Sequence, residues 1–155
     1  LIIDGKLGVI NLIGRVYMDH ADCPFRALDN ELEQLRSKVK VCIVDIHAEA
    51  TSEKCAIAWH ADGRVSAVLG THTHVQTADE RILPCGTAFI TDVGMTGPSV
   101  SVLGIRPDQA VYKMHEKLPT RFNTADGPCQ FNAVIFTLCE NTGKTVGVKR
   151  INITD

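Results

Sequence analysis

The chain has 155 residues, 45% of them hydrophobic, and a formal net charge of −2. That length suits one domain or part of one, with enough apolar content for a core. The near-neutral charge and scattered Lys and Arg give no electrostatic case for nucleic acid or an anionic membrane. No apolar stretch approaches the roughly 20 residues of a membrane span.

Leu7 to Gly14 reads as a strand bracketed by glycines. Arg15 to Pro24 reads as a loop. Its Asp19, His20, Asp22 and Cys23 are metal-ligand types, but a solvated loop ahead of a helix is the simpler reading. Pro24 opens a helix to about Lys38, with Leu28, Leu32, Leu35 and Val39 on one apolar stripe. Its acids come early and its bases late, as the helix dipole favours. Val41 to Val44 is an apolar strand running into Asp45-Ile46-His47. A helix follows from Thr51 to about Ala61, with a hydroxyl cap expected at its start and Asp62-Gly63 at its end. Cys55, Ala56 and Trp59 are expected on its buried face, and His60 on its surface. Val65 to Thr71 is the next strand, and Gly70-Thr71-His72-Thr73-His74 closes it.

Residues 40 to 71 thus form a parallel β-α-β unit with a right-handed crossover. Gln76 to Pro84 reads as loop, Thr87 to Ile90 as a short strand, and Thr91 to Pro98 as a glycine-bearing connection rather than a lid. Pro107 starts a helix with Ala110, Val111, Met114 and Leu118 at helical spacing, ended by Pro119. Arg121 to Thr124, Gln130 to Glu140 and Thr145 to Ile153 read as antiparallel β segments joined by turns.

The six cysteines form no C-x-x-C pair and read as reduced thiols of a cytoplasmic protein. The opening Leu1-Ile2-Ile3-Asp4-Gly5 lacks the basic region and long apolar core of a secretory leader.

The chemistry gathers at two strand ends. Ligands of open α/β sheets collect at such carboxyl ends. On an extended segment His72 and His74 would share a face, and so would Asp45 and His47. Three imidazoles, His47, His72 and His74, suit either a mononuclear zinc site or half of a two-metal site. Spacing alone leaves a third option, ordinary polar residues at strand ends. Asp45 and Glu49 flank His47, and Asp45 is placed to orient its ring from behind. Thr71 and Thr73 would either donate to a substrate or satisfy the strand end. His20, His60 and His115 are scattered and read as surface.

Asp45 to Lys54 (DIHAEATSEK), Gly70 to Pro84 (GTHTHVQTADERILP) and Ile90 to Pro98 (ITDVGMTGP) closely resemble the YmdB-type branch of the calcineurin-like metallophosphoesterases. Gly8 to Arg15 and Leu103-Gly104 fit the same family. The resemblance implies part of a metallophosphoesterase-type α/β sandwich, a parallel β-α-β unit followed by antiparallel C-terminal strands. It implies a phosphodiesterase with two divalent transition metals, Fe or Mn before Zn, acting on small phosphodiesters such as cyclic nucleotides. By match to the family's motif, His47 and His72 would hold one metal and His74 the other. Asp45, Glu49, Thr71 and Thr73 would stand behind them.

The resemblance implies that the family's remaining ligands, and its catalytic histidine, lie in an N-terminal half whose Gly-Asn-His motif does not occur here. The expectation is that residues 1–155 are the C-terminal portion of one domain, with roughly a hundred residues elsewhere. No catalytic residue is then expected in this chain. Such a portion would pair with its missing half or with a second copy. The competing reading is a non-catalytic association module holding one metal or none.

Overall fold

The structure, a computed structural model, describes residues 1–18 and 20–155; Asp19, named above in the loop after the first strand, lies outside them. In chain order the elements are β1 (Ile2–Ile3), β2 (Leu7–Ile13), α1 (Pro24–Leu35), β3 (Val41–His47), α2 (Thr51–Ala61), β4 (Ala67–Thr71), β5 (Arg81–Ile82), β6 (Ala88–Ile90), β7 (Gly97–Pro98), α3 (Pro107–Glu116), β8 (Cys129–Leu138) and β9 (Thr145–Thr154).

Two sheets form. The larger has the order β1-β2-β3-β4-β6-β5, and the smaller β7-β8-β9. Strands β2, β3, β4 and β6 are parallel, with β1 and β5 added antiparallel at the edges. The fold is therefore mixed α/β, with the expected parallel β-α-β unit and an antiparallel C-terminal hairpin. The parallel register sets Ile13 beside His47 and His47 beside Thr71. All the parallel strands end along one edge.

Alternation along β3 decides what that edge carries. Cys42, Val44 and Ile46 face the helices and are buried, while Asp45 and His47 turn to the opposite face. Leu28, Leu32 and Leu35 of α1 and Ile57, Ala58 and Ala61 of α2 close over the buried face. Burial pushes the Cys42 thiol up to about 11, so it remains a small apolar side chain at neutral pH. Among the described residues all six cysteines are free.

Several elements depart from the sequence reading. Helix α1 stops at Leu35, because Lys38 N–H donates to the Leu35 carbonyl three residues back and tightens the chain into a turn. Neither its first turn holds an acid nor its last turn a base, so the expected dipole pairing is not made. Helix α2 has Ala50 at its N-cap and no side-chain cap. Its buried stripe is Lys54, Ile57, Ala58 and Ala61, with Glu53 beside it, whereas Ala56 and Trp59 are exposed. The stripe includes two charged residues, and apolar periodicity looks past charges. In α3 only Ala110 is buried; Val111 and Met114 face outward, and Leu118, also exposed, lies past the end of the helix, which the left-handed Lys117 caps. Arg121 to Thr124 forms no strand, only a bridge from Thr124 to Ile105, because the Asn123 backbone bonds to Arg106 and Gln109 instead.

The two sheets are tied by side chains. Thr145 Oγ1 donates to the Ser66 carbonyl at 2.7 Å. Gln76 Nε2 donates to the carbonyls of Ala133 and Ile151 on β8 and β9.

The corrected burial on α2 has a direct consequence for stability. Ile57→Ala is expected to cost about 2–5 kcal/mol. Trp59→Ala, on the wet face, is expected to cost under about 1 kcal/mol. Urea unfolding of the two variants separates them.

Candidate metal centre

The strand edge places His47 as the last residue of β3 and His72 one residue past β4. The two rings meet edge to face, with centroids 5.0 Å apart and His47 Nε2 3.3 Å from His72 Nδ1. On the far side of His47, Nδ1 lies 3.0 Å from Thr71 Oγ1. That hydroxyl donates its proton to Asp45 Oδ1 at 3.3 Å. Asp45 Oδ2 accepts in turn from Asn11 Nδ2 at 2.8 Å.

This order of bonds assigns the tautomer. Thr71 has one hydroxyl proton and spends it on Asp45, so it accepts from His47 Nδ1–H. The lone pair of His47 therefore sits on Nε2, facing His72. Asp45 does orient the ring from behind, but through Thr71 rather than directly. Glu49 bonds a different imidazole from the one it flanks in sequence: its Oε2 lies 2.5 Å from His72 Nε2.

His74 goes elsewhere. Its Nδ1 donates to the Leu103 carbonyl at 3.1 Å, which leaves Nε2 free to accept. The shared face expected of His72 and His74 does not arise, because the chain leaves the extended conformation after Thr71. His72 has φ 136° and His74 φ 63°, both in the region L residues rarely adopt. Among the described residues no group of three or more His, Cys, Asp or Glu is arranged to hold a metal ion. His47 and His72 are brought together, with Glu49 against His72, and His74 stands apart from them. The Thr73 hydroxyl closes a local turn, donating to the Val75 carbonyl.

Sequence reasoning missed the residues that hold this edge in place. Lys54 and Asp92 are buried and pair at 3.0 Å. Glu53, also buried, accepts the amides of Arg15 and Val16 and so fixes the loop leaving β2. A lysine inside the stripe 54, 57, 58 and 61 was the one available signal. Burial pushes the Asp92 carboxyl up, but the amides of Thr73 and Gly94 and the Lys54 ammonium outweigh it and hold it below the ordinary carboxylate range. Asp79 behaves alike: burial raises it, and the hydroxyls of Thr77 and Thr91, the Thr91 amide and Arg81 bring it lower.

The chain as a whole is similar to known proteins. The model of the YmdB-like protein family matches residues 2–151. The chain belongs to that family. It is 47% identical over 150 residues to a 2′,3′-cyclic-nucleotide 2′-phosphodiesterase of Bacillus subtilis (strain 168), covering 97% of this chain and 57% of that one. A hypothetical protein from Thermus thermophilus superposes with a TM-score of 0.91 at 41% identity, covering 100% of this chain and 60% of that one. The structure of a novel phosphatase from Mycoplasma pneumoniae gives 0.86 at 39% identity, covering 94% and 52%. The chain spans about half the length of the curated relatives it matches. No described helix is long and apolar enough to cross a membrane.

Both lowered carboxyls contribute stability that is complete above about pH 4, the unfolded value for Asp. That contribution is lost as pH falls through their lower folded-state values. Asp79→Asn, which leaves the ring pair untouched, is expected to flatten the acid limb of the stability curve, read by circular dichroism between pH 5 and pH 2.

Proposed function

We propose that this chain is the histidine-bearing part of a metal-dependent phosphodiesterase of the YmdB-like family. The single observation that carries the reading is the facing pair His47 Nε2 and His72 Nδ1, 3.3 Å apart. Two imidazole nitrogens sharing one ion at roughly 2.0–2.1 Å in tetrahedral geometry stand roughly 3.3–3.4 Å from each other. The pair already has the separation that a shared cation requires, and the Thr71 bond turns the His47 lone pair toward it. Glu49 supplies a carboxylate against His72, and His74 keeps Nε2 free as a ligand for a second cation.

Divalent cations held there, Fe, Mn or Zn, supply Lewis-acid polarisation of a phosphoryl oxygen and acidify a bound water. The protein's own share is geometric. Asp45 and Thr71 hold the His47 ring in one tautomer, and Glu49 holds His72. We read the two sheets as part of a metallophosphoesterase-type α/β sandwich and residues 1–155 as one portion of that domain. The other ligands and the catalytic histidine come from a segment outside this chain, with which this portion pairs. The name of the Bacillus subtilis relative points to a cyclic nucleotide as substrate.

Cobalt(II) titration followed by visible absorption tests the site in this chain. His47→Ala and His72→Ala are each expected to weaken uptake by at least about 100-fold. Thr71→Val, which leaves both ligands in place, should weaken it by about 10- to 100-fold. The longer protein containing this chain is expected to hydrolyse a 2′,3′-cyclic nucleotide and to lose that activity with His72→Ala. Undiminished uptake by both alanine variants overturns the site. Uptake without hydrolysis by the longer protein makes the chain a metal-holding association module.

A further inference from the structure

The backbone at His72, whose ring meets His47, stands where a histidine does not rest of its own accord. Its φ of 136° lies in the region that favours glycine. The peptide groups on either side of it are tied to the same two buried side chains. Lys54 Nζ donates to the Thr71 carbonyl at 3.1 Å and to Asp92 Oδ2 at 3.0 Å. Asp92 Oδ2 also accepts the Thr73 amide at 2.9 Å, and its Oδ1 accepts the Gly94 amide at 2.9 Å.

We propose that Lys54 and Asp92 are positioning residues, a buried ion pair that clamps the backbone before and after His72 and so aims its imidazole at His47. Relaxing His72 toward an ordinary φ would pull the Thr71 carbonyl off the ammonium or the Thr73 amide off the carboxylate. Space-filling does not account for the pair, since apolar side chains of similar volume fill buried space equally well. Only a donor below Thr71 and an acceptor below Thr73 hold both peptide groups at once. Gly70 is part of the same device. A Cβ there would run into the Thr91 carbonyl oxygen and come within 2.6 Å of Lys54 Cδ, so its absence lets β4 pass over the lysine. The Val93 amide, donating to the Gly70 carbonyl at 2.9 Å, closes the clamp from the β6 side.

The functional half of this inference rests on reading His47 and His72 as a metal-holding pair; the geometric half does not. The test uses the full chain and two readouts. One is the nuclear Overhauser contact between the His47 and His72 ring protons without metal, and the other is cobalt(II) affinity. Lys54→Met combined with Asp92→Asn removes both charges at nearly constant volume. That variant is expected to unfold cooperatively, to lose the ring contact and to bind cobalt(II) at least tenfold more weakly. Leu28→Ala, a core variant away from the clamp, should be less stable yet keep the ring contact and the wild-type affinity.

A double variant that keeps the ring contact overturns the clamp. So does a Leu28→Ala protein that loses affinity as far as the double variant does. If the wild type shows the ring contact but binds no cobalt(II), the metal reading fails while the ring contact still decides the clamp. Should the double variant not fold, Asp92→Glu, which keeps both charges but displaces the acceptor by one methylene, is scored by the same two readouts: a weakened ring contact is expected, and an unchanged one overturns the clamp.

Discussion

The ammonium of Lys54 and the carboxylate of Asp92 meet with almost no solvent contact, under the point where β4 runs out. A buried ion pair is weak evidence for stability, because desolvating two charges consumes most of what their attraction returns. What this pair does provide is direction. It presents a donor to one peptide group and an acceptor to another, and the residue between those groups is His72. The carboxylate is also shared with Gly94, so the loop after β6 is fixed by the same group that fixes the histidine loop. Removing either partner alone would strand the other charge inside the core, a far larger penalty than losing the pair together.

The sheet supplies the rest of the constraint. Parallel pairing brings the carboxyl ends of β2, β3 and β4 level, so Asn11, Asp45, His47 and Thr71 fall within reach of one another from distant points in sequence. Because β3 alternates, the same strand that buries Val44 and Ile46 must turn Asp45 and His47 to the other face. One register therefore fixes both the core and the polar relay. A slip of one residue would bury the histidine and expose the valine.

Much of this was legible in the residues. Apolar runs marked β2, β3 and β4, the Leu28, Leu32 and Leu35 stripe marked α1, and two strand ends delivering histidines marked the edge. Face-sharing of Asp45 with His47 was also legible, because that stretch really is extended. What failed, failed for physical reasons. His72 and His74 follow the strand rather than belong to it, so a period of two no longer governs them. Ala56 and Trp59 read as core because they are apolar and sit in a helix, yet the helix turns Lys54 inward. Burial of a charge depends on partners that only the fold brings near, here Asp92 38 residues away. Glu49 illustrates the same limit: two residues from His47 in sequence, it bonds His72 instead.

The relay has a direction, and that direction explains why a threonine rather than an aliphatic residue ends β4. Asn11 is a donor to Asp45, which fixes the carboxylate as an acceptor. Thr71 must then donate to it, and can only accept from His47. Reading outward, each group leaves the next a single choice, until the His47 lone pair is turned to the gap it shares with His72. An aliphatic β-branched residue at position 71 would keep the strand but free the ring to adopt either tautomer. On the other side of the gap, the Glu49 carboxylate and the backbone clamp do for His72 what the hydroxyl does for His47. The two rings are thus held by different means, one through side chains behind it and the other through peptide groups beside it. Their convergence belongs to the folded edge and to neither sequence segment alone.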